Sequence, residues 1–457
     1  MENVNTIGKD FTLGQLAKFV APPVITRLVV SVFQTLDDSL FISRYCGQNA
    51  LAAFSVMLPW FMLVDAIGML CSAVSTRCSI LMGKKENDRA KKDFTAMVII
   101  VFGLGLCITL FLSFFRDKLL TILGETEALR PYAETYVNVS RFYAPFSLST
   151  FVLGSFYVIA GKPKCSMYTS IIQTFCNIFF DWVFIVKLNT GIVGAAYANF
   201  IGFACVWLFG IIFFSSNKRE IHFVKPDFDL KPLFKDVFKL GRTQVITSLS
   251  ISLNTYITNT VQLALAGEEL VAAFTIVNNV QFMFMNSMFG LIGSICPIIS
   301  YAYGEKNAEK LRKTLKQAII LVLGLVTIIA LVYLLGRETI INLYLNEEAS
   351  NVIREMARYG MKVAPLSFYF FGFNVLTQEF FNSVANAKVS STLTIIENII
   401  FSNITVLLMP KLFGLNSIWY IFAVTEVCTF FFSLYCLEMN KDRYGFGKEM
   451  VATFINE

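Results

Sequence analysis

The sequence has a single histidine, His222, and only 15% of its residues are charged, where soluble chains carry roughly a quarter. One imidazole argues against a metal-dependent membrane hydrolase, because catalytic zinc sites draw on several such ligands. The ten cysteines contain no C-x-x-C pair and no tight cluster, so they read as small apolar fillers with free thiols. No GxxxxGK[ST] loop is present, and no ATPase module is therefore encoded. No cleavable signal peptide is visible. The first apolar stretch runs from near Leu13 past Leu40, too long for a signal h-region and lacking a small-residue cleavage site.

What the sequence does contain is apolar. Hydrophobic residues are 56% of the 457, 46 of them are Phe, and mean hydropathy is +0.62. That composition excludes a soluble enzyme, a disordered chain and a nucleic-acid binder, and predicts an all-α polytopic membrane protein. About 20 apolar helical residues cross a hydrocarbon core. The sequence divides accordingly into twelve predicted transmembrane helices, at 14–44, 50–82, 94–115, 132–160, 165–187, 191–215, 243–265, 270–302, 314–336, 357–386, 389–410 and 414–438. Lys/Arg counting puts the clusters Lys84 to Lys92, Lys218 to Arg242 and Lys306 to Lys316 on the inner side. Both termini are then cytoplasmic and the protein sits in the cell membrane.

The two halves repeat at an offset near 220 residues. Gly47-Gln-Asn-Ala-Leu-Ala-Ala-Phe-Ser-Val56 matches Gly267-Glu-Glu-Leu-Val-Ala-Ala-Phe-Thr-Ile276. Gly83-Lys-Lys-Glu-Asn-Asp returns loosely as Gly304-Glu-Lys-Asn, and Ala144-Pro145 as Ala364-Pro365. Six crossings per repeat make two pseudo-symmetric six-helix lobes related by an axis along the membrane normal, the arrangement of alternating-access transporters. The expected organisation is an N-lobe at 1–215, a cytoplasmic amphipathic linker at 216–242, a C-lobe at 243–438 and a cytoplasmic tail at 439–457. The linker, with Phe228, Leu230, Leu233, Phe234, Val237 and Phe238 at helical spacing, reads as a plain connector lying on the membrane.

Charged groups within crossings are functional candidates by default. Asp38 lies six residues before Arg44, and Asp181 six before Lys187, each roughly 9 Å below the same boundary at 1.5 Å per residue. Asn177 shares a helix face with Asp181, and Asn199 enters from the next crossing at a similar depth. Two carboxylates in low dielectric do not both stay bare anions; one takes a proton or a cation sits between them. Asp37 points about 100° away from Asp38. The competing structural reading pairs each Asp with Arg27 or Arg141. Gln281, Asn286, Gln378, Glu379, Asn382 and Glu397 could line a cavity in the second half, with Gln281, Asn286 and Glu379 as weak candidates for its substrate wall, and bridging between helices by hydrogen bonds is the equal alternative for all six.

At these residues the chain resembles the multidrug and toxic compound extrusion (MATE) family. Asp38-Ser-Leu-Phe-Ile-Ser-Arg-Tyr-Cys-Gly47 with Leu51-Ala-Ala53 is similar to the family's first-helix pattern, and Asn177-Ile-Phe-Phe-Asp181 with Gly191-Ile-Val-Gly-Ala-Ala196 to its fifth-helix signature. The resemblance implies a cation-coupling site of Asp38, Asn177, Asp181 and position 199, where Asn replaces the family's Thr. Ser39 and Ser43 also depart from its Thr and Gly. It implies a secondary antiporter that exports organic, cationic or amphipathic compounds against H⁺ or Na⁺. The expected partners are small organic substrates and membrane lipids, without nucleic acid. The expected form is a monomer, with no catalytic residues, no cofactor, and no metal other than Na⁺ at the coupling site. A flippase for lipid-linked precursors is the neighbouring alternative. An integral membrane enzyme or a receptor lacks, respectively, a catalytic cluster and a signalling domain.

Overall fold

The computed structural model describes residues 6–33, 41–123, 127, 129–227, 230–344 and 351–444. It is all-α, with no strand among the described residues. The helices are α1 (Leu13–Phe33), α2 (Gln48–Ser72), α3 (Val74–Gly83), α4 (Asn87–Ile122), α5 (Arg130–Ser140), α6 (Ala144–Ile159), α7 (Pro163–Asp181), α8 (Ile192–Phe214) and α9 (Leu230–Gly304). Then follow α10 (Ala308–Tyr344), α11 (Asn351–Val363), α12 (Pro365–Ser383), α13 (Ala387–Ile395), α14 (Ser402–Phe413) and α15 (Ile421–Asn440). Wide π-type turns at Ile42–Cys46, Trp182–Lys187 and Ile396–Phe401 prolong or join them.

Ten helical stretches among the described residues are long and apolar enough to cross a membrane. Of the two other expected crossings, the 243–265 stretch lies inside α9, a helical run of 75 residues, and the 357–386 stretch is divided between α11 and α12, with Pro365 in the first turn of α12. Ala144-Pro145 starts α6 in the same way. Large apolar side chains such as Phe114, Ile122 and Leu335 stand at least 80% exposed, as a lipid-facing surface requires.

The repeat is written into the backbone. Lys85 N–H donates to Met82 O and Glu86 N–H to Leu81 O, while Lys306 N–H donates to Tyr303 O and Asn307 N–H to Ala302 O. The second pair of turns behaves alike: Gly161 bonds Val158 and Lys162 bonds Tyr157, as Ala385 bonds Asn382 and Asn386 bonds Phe381. All four are Schellman caps, with φ between 56° and 69° at Lys85, Lys306, Gly161 and Ala385.

By contacts the chain forms two units, Met1–Lys9 with Ile25–Gly241 and Asp10–Val24 with Arg242–Glu457. In unit 1, α4 and α6 approach so closely that a Cβ on Gly105 would lie 2.3 Å from Pro145 Cα. Unit 1 also holds 219–241. The Glu220 carboxylate accepts from Thr6 N and Oγ1 at 2.9 Å, Val224 N–H donates to Thr95 Oγ1 at 3.1 Å, and Phe223 stacks on Phe94 at 5.2 Å. Asp236 pairs with the buried Arg77. A Cβ on Gly241 would sit 2.5 Å from Leu70 O. Leu233, Val237 and Leu240 are buried while Phe238 is exposed. These contacts tie the segment to unit 1.

Candidate functional site

In unit 1 the end of α7 and the start of α8 are held together by their turn. Gly191 takes φ +66° ahead of α8, a left-handed conformation that glycine adopts without steric cost. Gly202 of α8 lies against α7, where even a Cβ would make only ordinary contact with Gln173 O at 3.5 Å. That approach brings the amides together, with Asn177 Nδ2 donating to Asn199 Oδ1 at 3.2 Å. Asp181, one turn beyond Asn177, is fully buried at 0% exposure. Unit 1 also holds an apolar cluster of Ile42, Ala50, Phe54, Tyr136, Ile185, Ile192, Ala195 and Ala196, drawn from the first, second, fourth, fifth and sixth crossings. Cys46, at the end of the first crossing, lies within electrostatic reach of Asp181. Asp37 and Asp38 lie outside the described residues. Arg141 donates to Ser113 Oγ at 3.2 Å and its guanidinium covers the Phe142 ring at 4.8 Å.

The structure therefore brings Asn177 and Asn199 into direct contact, with Asp181 buried one turn away from Asn177. The MatE family profile matches residues 22–183 and again residues 244–407. The chain belongs to the MATE family. The two matches begin at the spacing of the internal repeat. Among curated relatives it is 25% identical over 415 residues to the multidrug export protein MepA of Staphylococcus aureus, covering 89% of each chain. It is likewise 25% identical over 412 residues to MepA of Staphylococcus haemolyticus, covering 89% of this chain and 90% of that protein. Among solved structures, an outward-facing multidrug resistance MATE transporter of the MOP superfamily superposes with a TM-score of 0.88 at 20% identity, over 97% of this chain and 99% of that one. A MOP superfamily transporter from Pyrococcus furiosus, described as having a binding pocket of reverse polarity, gives 0.84 at 21% identity over the same shares. These structures establish the MATE fold for this chain: twelve transmembrane helices in two six-helix lobes.

The second-half candidates of this MATE protein belong to unit 2, whereas the Asn177–Asn199 pair belongs to unit 1. Gln281 is buried and Asn286 half-buried on α9, and Glu379 on α12 accepts from Gln244 Nε2 at 3.2 Å. The nearby rings pack on one another instead of lining a path, Phe284 on Phe368 at 4.1 Å and Phe371 on Phe422 at 5.8 Å.

Three further intramembrane carboxylates have defined partners that sequence reading did not assign. Asp65 on α2 accepts from Tyr143 Oη and Ser147 Oγ, each at 3.3 Å. Glu397, buried in the π-type turn before α14, accepts from Gln378 Nε2 at 2.5 Å. Glu426, 1% exposed on α15, accepts from Asn374 Nδ2 at 2.9 Å, and Ser433 Oγ donates to Asn374 Oδ1 at 3.0 Å. A charge within an apolar run marks a candidate without naming its partner.

Proposed function

We propose that this MATE-family chain is a multidrug efflux transporter working as a secondary antiporter, which exports organic, cationic or amphipathic compounds by alternating access against inward H⁺ or Na⁺. The observation that carries the reading is the contact of Asn177 with Asn199 one helical turn from a fully buried Asp181, Asn177 and Asp181 being the positions the fifth-helix signature marks. Asp181, Asn177, Asn199 and Asp38 form the coupling site. Burial makes a bare Asp181 anion costly, so occupancy by a proton or Na⁺ is linked to lobe conformation. Substrate and ion drive transport because each favours a different conformation; a ligand shifts an equilibrium only through differential affinity. Gln281, Asn286 and Glu379 belong to substrate recognition. The names of the curated relatives, multidrug export proteins, favour this over the flippase alternative. The protein works without a cofactor, as a monomer surrounded by membrane lipids, in the cell membrane with both termini cytoplasmic.

The test is efflux of a dye panel from reconstituted vesicles under separately imposed proton and sodium gradients. Asp181→Asn keeps size and hydrogen bonding while removing the charge. It should abolish gradient-driven efflux with expression and elution profile intact, and Asp38→Asn should act similarly. Wild-type ion-coupled efflux by Asp181→Asn would remove the mechanism. Orientation is checked by labelling Lys225→Cys and Lys441→Cys variants, which should react only with reagent on the cytoplasmic side.

A further inference from the structure

In unit 1, two arginines reach across one seam between α4 and the end of α5. Arg141 Nη1 donates to Ser113 Oγ at 3.2 Å, and Arg116 Nη1 donates to Asn138 Oδ1 at 2.7 Å. Ser113 and Arg116 are three residues apart on α4, as are Asn138 and Arg141 on the other side, so the contacts are neighbouring rungs about 5–6 Å apart. Thr109 Oγ1 fixes the seam by donating to Arg141 O at 2.8 Å. The two guanidiniums differ in what answers their charge. Asp117 Oδ1 accepts from Arg116 Nε at 3.1 Å. Arg141 has no carboxylate partner among the described residues; its side-chain acceptor is the neutral Ser113, and its Nε is buried without an acceptor. A guanidinium keeps its charge in proteins and offers five donors, and buried donors are nearly always satisfied. An acceptor with negative charge belongs beside Arg141.

The repeat supplies a control within the same chain. Three residues before the matching Ala-Pro pairs, Arg141 corresponds to Met361, which is fully buried. Arg116-Asp117 corresponds to Arg337-Glu338, and Asn138 to Arg358. There the extra arginine is answered from within the protein: Arg358 Nε and Nη2 donate to the two Glu338 oxygens at 2.7 and 2.8 Å. The helix packing that both halves share therefore does not require an arginine at 141.

The surroundings select the kind of anion. Ser113 and Asn138 are exposed and Arg141 is half-buried, so the seam opens at the surface. Leu110, Phe111, Phe114 and Phe142, close to it in sequence, are 45–80% exposed, as a surface that meets acyl chains must be. Ser113 lies nine residues before the end of α4 at Ile122, roughly 14 Å along the axis. A small anion from solution would leave this apolar rim uncovered. A phospholipid brings both a phosphate, which a guanidinium binds with charge-assisted hydrogen bonds, and chains to cover the rim.

We propose that Arg141 and Arg116, with Ser113 and Asn138, bind the phosphate of an anionic phospholipid whose chains lie over Leu110, Phe111 and Phe114. The test is native mass spectrometry of the purified full-length protein in detergent, titrated with dioleoylphosphatidylglycerol, dioleoylphosphatidylcholine or inorganic phosphate. The wild-type protein should hold a phosphatidylglycerol about tenfold more tightly than phosphatidylcholine, whose own ammonium offsets its phosphate. Arg141→Met, which copies Met361, should weaken phosphatidylglycerol binding about tenfold through loss of a hydrogen bond to a charged group. Lys118→Gln removes an exposed charge from the same helix and should leave the affinity unchanged. Equal affinity for the two lipids, displacement of phosphatidylglycerol by inorganic phosphate, undiminished binding by Arg141→Met, or an equal loss in Lys118→Gln would each overturn the proposal. If Arg141→Met fails to fold, Arg141→Lys, which keeps the charge without the planar fork, should still weaken phosphatidylglycerol binding, and the comparison of the two lipids on the wild-type chain still decides.

Discussion

Arg77 offers a measurable case of a charge fixed inside the membrane part of unit 1. It is 7% exposed on α3, its Nε donates to Asp93 Oδ2 at 2.8 Å, and Asp93 on α4 is 8% exposed. Its other contact, Asp236, has a side chain 42% exposed. The two links therefore differ in worth. Arg77→Met keeps the apolar stem and leaves Asp93 a buried anion without its counter-charge, which costs about 3–5 kcal/mol. Asp236→Asn loosens only a partly solvated link and should cost under about 1 kcal/mol. If uncompensated charge is the cause, adding Asp93→Asn to Arg77→Met should recover most of the loss, since removing both charges of a buried pair is far milder than removing one. Thermal unfolding in detergent, followed with a thiol-reactive dye that reports exposure of the buried Cys71 and Cys78, ranks the variants directly. A double variant as unstable as Arg77→Met alone would refute the reasoning and assign the cost to shape instead of charge.

Other outcomes can be checked in parallel. Asn199→Val removes the acceptor of Asn177 Nδ2 and should slow coupled efflux about tenfold, read from initial rates in vesicles, while melting stays near that of wild type. Gly105→Ala places a methyl against Pro145 Cα and should destabilise by about 1–3 kcal/mol, seen in the same melting assay. Asn374→Leu strips the buried Glu426 of its amide donor and should cost about 1–3 kcal/mol; Asn374→Asp, which cannot donate when ionised, should not rescue it. Bulky replacements at both Gln281 and Asn286 should alter the substrate profile in the dye panel; an unchanged profile would remove them from the recognition surface.

The crossings were legible because apolar runs of membrane length are a one-dimensional property, and the repeat because loop residues such as Lys85 and Lys306 occupy matching places in it. Asn177, Asp181 and Asn199 were legible through helical periodicity and depth, two quantities that simple counting supplies. Partnerships across the chain were not. Nothing local ties Arg77 to Asp236, or Asn374 to Glu426, since periodicity says which face a residue occupies but not which helix meets it. The contacts of the linker were hidden for the same reason. Leu233, Val237 and Leu240 have the spacing of a membrane-resting helix whether they meet lipid or protein, and only the contacts of Glu220, Phe223, Val224 and Asp236 reveal that unit 1 holds the segment.

The four matching caps have a practical corollary. Three of them place a side chain where the backbone is left-handed, at Lys85, Lys306 and Ala385, and a Cβ there costs about 1 kcal/mol or more per site. The two lysines are exposed. Glycine at these turns would release that strain without touching the chemistry. A host chain carrying Lys85→Gly and Lys306→Gly would then have stability in reserve, enough to keep charge-removing variants at Asp181, Glu397 or Glu426 folded long enough for their ion and substrate binding to be measured.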